Sequence, residues 1–590
     1  MIKSAEHYPI SAILGIEEKV KYVVPKYQRE YIWSKEKWGY LLNDLLDSDE
    51  GHFLGSILCV DKGKDALGIR PLEIIDGQQR LTTISLLYAV IYNRFLEEDR
   101  KDDDFITERT NLKHRLIQKN AKGIKLELSC QNENFEDYNS IICKELKLYE
   151  GFDRPSRAAN RQIYRTYRYF EDKLANFDYT ELLNLLKKVN EASVVKIEVE
   201  NYADAFDLFE SLNNRGEPLS PIDLIKNKAL SEFEKKEIKS IDNAFNEWKK
   251  LIDNLSNYSA QERYLRQYYN AFRYKEKIKI KGFSKATKFT LIKIYEKLIN
   301  QDVEFIFNEL VEKSKTYRLF LEPKKEGEIR RHYNGLMDLL RIGAAPSYTF
   351  LLYLFEEHKD DAKLIEDSIH FMVKYFVRRN LTDFPGTRDL DKIFMDLIDE
   401  CEKNKNSLTS SFIVEYLTDI ERFSNIEKFR EKLEGDLYED NAIVARFILC
   451  KIEEERQTKE IYRDLWERDK NRYLWTIEHI VPEGKNIPKE WVDMIADGDK
   501  EKAEELQVEY VHKLGNLSLT GYNSKLSNFS FEKKRDRKDS EGHYVGYKNG
   551  LYLNKKLKDK SSWTVEDIQH RTDELVKETL KLFNIEDEKI

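Results

Sequence analysis

The chain has 590 residues, more than one hydrophobic core usually holds, so two to four domains are expected. With 41% hydrophobic and 35% charged residues, and 34 Tyr and 30 Phe to build cores from, the composition is that of an ordered soluble protein. A net charge of −9, from 99 Lys+Arg against 108 Asp+Glu, excludes a uniformly basic nucleic-acid coat but not a local basic surface.

Residues 1–230 mix strand and helix signals. The stretches 20–25, 53–60, 71–76, 124–129 and 193–200 are short and rich in Val, Ile and Leu, as buried strands are. A helix is predicted from near Leu81, where Leu81, Ile84, Tyr88, Ile91 and Phe95 fall on one face. An α/β or α+β domain follows. From about 231 to 455 strand signals thin out, and stretches such as 348–358 and 365–379 carry apolar residues at helical spacing, predicting a helical middle domain. The last part, 456–590, is mixed again: a strand and polar turn over 472–482, a strand or loop and then a basic helix over 513–538, and an amphipathic helix over 564–583.

No segment approaches the ~18 apolar residues of a membrane span, and the N-terminus lacks the basic-then-apolar pattern of a secretory signal. A cytoplasmic protein is expected. The five cysteines (Cys59, Cys130, Cys143, Cys401, Cys450) are scattered without C-x-x-C, so neither a disulfide framework nor a thiolate zinc site is indicated.

Four N-terminal segments carry candidate chemistry. Just after the first predicted strand, Tyr27, Gln28, Arg29, Tyr31 and Trp33 could stack on a base and bind phosphate, or simply form a core edge. Gly55-Ser56 interrupts a strand where backbone can approach a ligand. The turn Asp76-Gly77-Gln78-Gln79-Arg80 combines exposed backbone N–H groups, a helix N-terminus and an arginine, which together grip phosphate. Asp76 fits an anion site poorly unless a metal or sugar hydroxyl sits beside it, which suggests a nucleotide with Mg²⁺ or water activation; Gln78 and Gln79 could orient a water. Asn213, Arg215 and Gly216 end one helix. Ser220, Pro221 and Asp223 cap the next, which leaves Lys226 and Asn227 freer to act. No G-x-x-x-x-G-K-[ST] occurs, which excludes a P-loop NTPase.

At the other end, Glu478-His479 closes an apolar strand, followed by Asn516, Asn523 and Asn528. An acid–His pair on a strand, a loop Asn and a helical Asn, in that order, make the pattern of an HNH ββα-metal nuclease. One divalent ion on a carboxylate and an amide oxygen would neutralise charge on a phosphodiester, while a neutral imidazole deprotonates water. Glu478 and Asn523 are therefore expected as metal ligands, with Asn528 as an alternative. His479 is the expected general base, and Asn516 the residue that holds its loop. Oxygen ligands favour Mg²⁺ or Mn²⁺. Residues 523–560 hold eleven Lys/Arg against five acids, a local charge of +6, and Lys533, Lys534, Arg535 and Arg537 are expected on the DNA backbone.

The C-terminal segments "TIEHIVPE", "LGNLSLTGYNSKLSNFSFEKK" and "IQHR" resemble the HNH domain that forms the D half of GmrSD-type modification-dependent restriction enzymes, and the C-terminal domain of SspE-type effectors. The resemblance spans about 456–590 and places Trp563 in packing and Arg571 in phosphate contact or packing. "VPKYQREYIW", "LGSIL", "IIDGQQRLTT" and "FESLNNRGEPLSPIDLIKN" are similar to the ParB/sulfiredoxin-like S half of the same enzymes, over about 1–230. That likeness implies binding and hydrolysis of a nucleoside triphosphate (GTP, UTP or ATP) governing the nuclease, recognition of modified phage DNA, and Asp76, Gln78, Gln79 and Arg80 as the NTPase core. Tyr27, Gln28, Arg29, Asn213, Asn214 and Arg215 would line the same cleft. The overall expectation is a multidomain α+β chain: domains 1–230, 231–455 and 456–590, no membrane partner, and homo-oligomerisation left open. Two rivals stand beside it: a ParB-like DNA-binding module without turnover fused to the nuclease, and a non-enzymatic DNA-binding protein.

Overall fold

The computed structural model describes all residues except 1, 17–18, 26–27, 29, 49–50, 62, 64–68, 120–122, 129–132, 149–160, 201–203, 206–207, 209–220, 459, 471, 523–525, 527 and 586–590. The expectations placed on Tyr27, Arg29, Asn213, Asn214, Arg215, Gly216, Ser220 and Asn523 lie outside the described residues. By internal contacts the chain divides into two units, Met1–Trp248 with Ile299–Glu304, and Lys249–Leu298 with Phe305–Ile590. It is mostly helical, of the α+β class.

In the first unit six strands form one mixed sheet: β1 (Ile2–Pro9), β2 (Val20–Val23), β3 (Phe53–Asp61), β4 (Arg70–Asp76), β5 (Leu126–Glu127) and β6 (Ser193–Val199), in the order β1-β6-β3-β4-β2-β5. The pairs β1–β6 and β3–β4 are antiparallel; β6–β3, β4–β2 and β2–β5 are parallel. Strand β1 was not expected from sequence, because an edge strand whose side chains are mostly exposed has no apolar alternation to betray it. The expected strand 124–129 shortens to two residues.

Helix α1 (Gln78–Glu97) starts three residues ahead of Leu81, directly after β4. Its predicted apolar face, Leu81, Ile84, Tyr88, Ile91 and Phe95, is wholly buried in the core of this unit. Gly77 makes the strand-to-helix junction with φ 90, a left-handed conformation, and a Cβ there would sit 3.0 Å from Ile57 Cγ1 and 3.1 Å from Ser56 O. Only glycine meets both demands without strain. Helix α2 (Pro221–Lys235) opens on Pro221, whose missing N–H would be unpaired at that position anyway.

In the second unit, helices Tyr348–Glu357 and Ala362–Thr382 occupy the segments read as helical. Helix α3 (Leu437–Glu454) is broken at Asn441 (φ −161, ψ 91), whose side chain caps the second part through Val444 N at 3.1 Å. The nuclease-like segment follows with β7 (Arg468–Asp469), β8 (Arg472–Tyr473), β9 (Thr476–His479) and β10 (Leu517–Thr520). Strands β9 and β10 pair antiparallel, with Leu517 opposite His479 and Ser518 opposite Glu478. The expected basic helix is only α4 (Phe531–Arg535), five residues long. The last helix, α5 (Val565–Leu582), begins with a capping box between Thr564 and Asp567. Ile480, Val481, Trp491, Phe531, Tyr547, Trp563 and Ile568 form the local core, where the Trp563 and Phe531 rings stack 6.0 Å apart.

Candidate active site

Two clusters gather the residues singled out in the sequence, one in each unit.

In the first unit, β3 and β4 deliver Gly55, Ser56 and Asp76 to the N-terminus of α1. Arg80 Nη1 donates to Ser56 O at 2.9 Å, and the guanidinium lies across Gly55, where a Cβ would be 3.0 Å from Nη2. Burial lowers the Arg80 pKa, and Asp76 nearby counters part of that. The structure therefore brings Gly55, Ser56, Asp76, Gly77 and Arg80 together.

The neighbouring loop is pinned to this turn. Gln28 Nε2 donates to Ile75 O at 3.0 Å, and the Tyr31 and Thr83 hydroxyls share a 2.6 Å bond. Gln79 is buried, with Oε1 accepting from Ile32 N at 2.8 Å and Trp33 N at 3.3 Å, and Nε2 donating to Glu30 O at 2.9 Å. This corrects the expectation that Gln79 orients a water: both ends of its amide hold backbone. Gln78 is buried as well. Lys226, read as free to act, is buried with its ammonium 3.1 Å from Asp223 Oδ1.

In the second unit, β9 ends in the consecutive residues Glu478 and His479, the first packed on Lys534 and the second on Tyr438 and His512. Asn516 locks the chain behind them. Fully buried, it accepts from Val481 N at 2.8 Å through Oδ1, donates through Nδ2 to Val481 O at 3.1 Å and Val511 O at 2.9 Å, and accepts Ile480 N at 2.9 Å on its carbonyl. The loop before β10 is clamped in turn by α5. Gly515 N donates to Thr572 Oγ1 at 3.0 Å, and a Cβ on Gly515 would lie 2.1 Å from Ile568 O.

His479 sits in an aromatic box. The Tyr438 ring meets its imidazole edge-on at 4.6 Å and the His512 ring at 5.5 Å, while Tyr438 and His512 stack at 5.6 Å. Its Nδ1 is 3.8 Å from Glu483 Oε2, and its buried Nε2 has no hydrogen-bond partner among the described residues. Burial, with His512 and Lys534 adding to it, pushes the imidazole down to about 3, so the ring is neutral at physiological pH.

Glu478 is buried, and Lys534 is buried against it. The ammonium donates to Glu478 Oε1 at 2.6 Å, His479 O at 2.8 Å and Ile480 O at 3.2 Å. Burial raises the Glu478 pKa and the Lys534 charge opposes that rise. Lys534 is thus inside the site, which corrects its assignment to the DNA backbone. Of the two roles expected for Arg571, phosphate contact or packing, its bonds are those of packing: it is buried and donates to Gly515 O at 2.6 Å, Leu517 O at 2.7 Å and Leu553 O at 3.0 Å, which ties α5 to β10. Arg535 donates to Lys560 O at 2.5 Å and pairs with Asp536, whereas Lys533 and Arg537 are exposed. Asn528 is exposed, its amide against Gly484, where a Cβ would be 2.8 Å from Nδ2. Tyr438, His512 and Lys534 were missed as parts of this site. Tyr438 and His512 had no signal, whereas Lys534 stood in a basic run that hid its pairing.

The two ends of the chain match two models of one family. The model for the GmrSD restriction endonuclease N-terminal domain matches residues 10–230, and that for the C-terminal domain of GmrSD restriction endonucleases matches residues 423–578. The chain belongs to the GmrSD restriction endonuclease family. Membership makes it a DNA-directed hydrolase that cleaves DNA in restriction. The C-terminal match begins ahead of α3, so Tyr438 lies inside the family's C-terminal domain. No curated protein matches the chain. No helix among the described residues is long and apolar enough to cross a membrane.

Proposed function

We propose that this family member is a nucleotide-regulated, modification-dependent DNA endonuclease of antiphage defence. In this reading a ParB-like N-terminal domain binds NTP and senses modified DNA, residues 231–455 are a helical scaffold, and the HNH-type ββα-metal segment 456–590 cuts. The observation that carries the nuclease half is the half-buried His479, whose Nε2 has no partner among the described residues, directly following the buried Glu478 on one strand. With Nε2 unprotonated and unpaired among the described residues, the imidazole has a lone pair to accept a proton from an attacking water.

The donors here suit a hard divalent ion. Glu478 supplies a buried carboxylate, no thiolate is near, and Asn523 or Asn528 would add an amide oxygen. When bound, Mg²⁺ or Mn²⁺ neutralises charge on the scissile phosphate and on the leaving oxygen. The chain's own residues do the rest. Asn516 holds the turn after His479, Tyr438 and His512 fix the imidazole plane, and Nε2 receives the proton. Lys533 and Arg537, exposed beside α4, meet the DNA backbone.

In the N-terminal domain, Gly77, Arg80 and the α1 N-terminus bind phosphate, with Asp76 placed to orient a metal or water. The binding of both Gln79 amide ends to the loop favours one alternative in part: a ParB-like module that binds nucleotide or DNA without turnover.

The test is Mg²⁺-dependent nicking of matched modified and unmodified phage DNA with each NTP, alongside phosphate release. Cleavage of modified DNA only, lost in His479→Ala and dependent on NTP, supports the reading. Phosphate release no higher than that of Arg80→Ala would leave the non-hydrolysing module.

A further inference from the structure

We infer that Lys534 is a positioning residue for the metal-binding carboxylate, holding Glu478 by one oxygen so that the other faces the divalent ion. This rests on Glu478 being a metal ligand, as proposed above.

Lys534 is 1% exposed and its partner carboxylate 3%. The single ammonium binds Glu478 Oε1 and, through the carbonyls of His479 and Ile480, the backbone on which the general base is mounted. All three N–H donors of the ammonium therefore have acceptors, as a buried lysine requires. The lysine's own backbone is fixed too. Tyr547 N donates to Lys534 O at 3.3 Å, and a Cβ on Gly546 would lie 1.8 Å from that oxygen, so chain 546–547 packs directly onto α4. A lysine anchored at both ends does not swing aside.

Two roles are conceivable for an ammonium on a metal-binding carboxylate. It is either a stand-in that an arriving cation displaces, or a fixed partner that remains. Displacement would break three bonds and leave an uncompensated charge in the protein interior, at a large cost. Retention leaves Oε1 on Lys534 and Oε2 for the ion, with the Tyr547 hydroxyl also beside the carboxylate, and it fixes the carboxylate's rotamer before the ion arrives. Hydrogen-bonded outer partners of ligating carboxylates do this work in metal sites generally. The same ammonium sets the position of the carboxylate relative to His479, because it also grips the His479 carbonyl.

The two roles predict opposite signs. Coulomb repulsion between an ammonium and a divalent cation means that removing a mere competitor tightens metal binding. Removing a positioning partner weakens it, by about tenfold or more.

The experiment is Mn²⁺ titration calorimetry on the full chain, without DNA, for wild type, Glu478→Gln, Lys534→Met and Lys534→Arg. Thermal unfolding is recorded for each. The expected result is Mn²⁺ binding by wild type that Glu478→Gln abolishes, and that Lys534→Met weakens about tenfold or more with the fold intact. Equal or tighter binding by folded Lys534→Met overturns the inference. If Lys534→Met does not fold, Lys534→Arg decides. It keeps the charge but moves the donors, so positioning demands weaker binding, and unchanged or tighter binding refutes it. Wild type with no Glu478-dependent Mn²⁺ binding would instead sink the reading of Glu478 as a ligand, and this inference with it, whatever the Lys534 variants do.

Discussion

Asn516 offers the sharpest test of how the nuclease site is held. Asn516→Ala deletes three side-chain hydrogen bonds, to Val481 N, Val481 O and Val511 O, in a place with no solvent to replace them. At about 1 kcal/mol net per buried bond the loss is about 3 kcal/mol. With a urea dependence of about 1–3 kcal/mol/M, the midpoint should fall by about 1–3 M. Asn516→Asp should do worse: its carboxylate still accepts from Val481 N but turns an anionic oxygen toward two carbonyls. Because the chain holds two contact units, one global unfolding energy is not defined. The assay is therefore urea titration of 5-fluorotryptophan-labelled full chain by fluorine NMR, reading Trp491 and Trp563 of the nuclease core. Nicking is measured on the same samples. Lost nicking with an unmoved midpoint would refute the loop-holding role and put Asn516 in the chemistry itself.

The other predictions concern separate parts of the molecule. Gln79→Ala removes three bonds to residues 30–33 and should weaken nucleotide binding together with local stability, by about 2–3 kcal/mol, read by hydrogen exchange over 28–33. Unchanged protection there would mean the loop is held by other groups. Gly515→Ala forces a Cβ to 2.1 Å from Ile568 O, so it should detach the 514–516 turn from α5 and abolish nicking, with a lower melting temperature as the check. Asp536 titrates in the opposite sense from a buried acid. Its bonds to Arg535 and Lys548 hold it down at about 2, against an ordinary 3.8. Its contribution is therefore fully present above about pH 4 and is lost as pH falls through about 2. Asp536→Asn should flatten the acid limb of the stability curve over that window, and since the pair is largely exposed, the difference should shrink in high salt. Tyr438→Ala opens one wall of the His479 box and should lower nicking kcat more than it raises KM, whereas a purely structural loss would show in the unfolding midpoint instead.

What the sequence disclosed follows from where information is local. The strands at 53–60 and 71–76, the Gly77 junction and α1 were legible because apolar runs, a glycine and helical periodicity sit side by side in the chain. The Glu478-His479 pair and Asn516 were legible because their order and types are tied to one chemistry. Strand β1 was not, since its pairing with β6 is decided nearly two hundred residues away and its exposed side chains carry no pattern. The five-residue length of α4 was hidden as well, because charged residues near it favour helix while tertiary bonds from 546–548 end it.

The basic run shows why composition misleads at this scale. Eleven Lys/Arg between 523 and 560 suggest one surface, yet they have different fates. Lys534 is buried on Glu478, Arg535 and Lys548 are held by Asp536, and Lys556 and Lys560 pair with Glu574 and Asp567 of α5. Lys533, Arg537, Lys538, Lys555 and Lys558 stay exposed, and Lys525 lies outside the described residues. A DNA interface built on this segment has fewer phosphate contacts than its charge suggests, so the slope of log K against log salt should reflect about five neutralised phosphates from these residues, not eleven. The burial of one lysine beneath β9 also explains its neighbours. To deliver an ammonium to Glu478 from α4, the chain must press Gly546 against the Lys534 carbonyl, and the residues left outside that contact are the ones free to meet DNA.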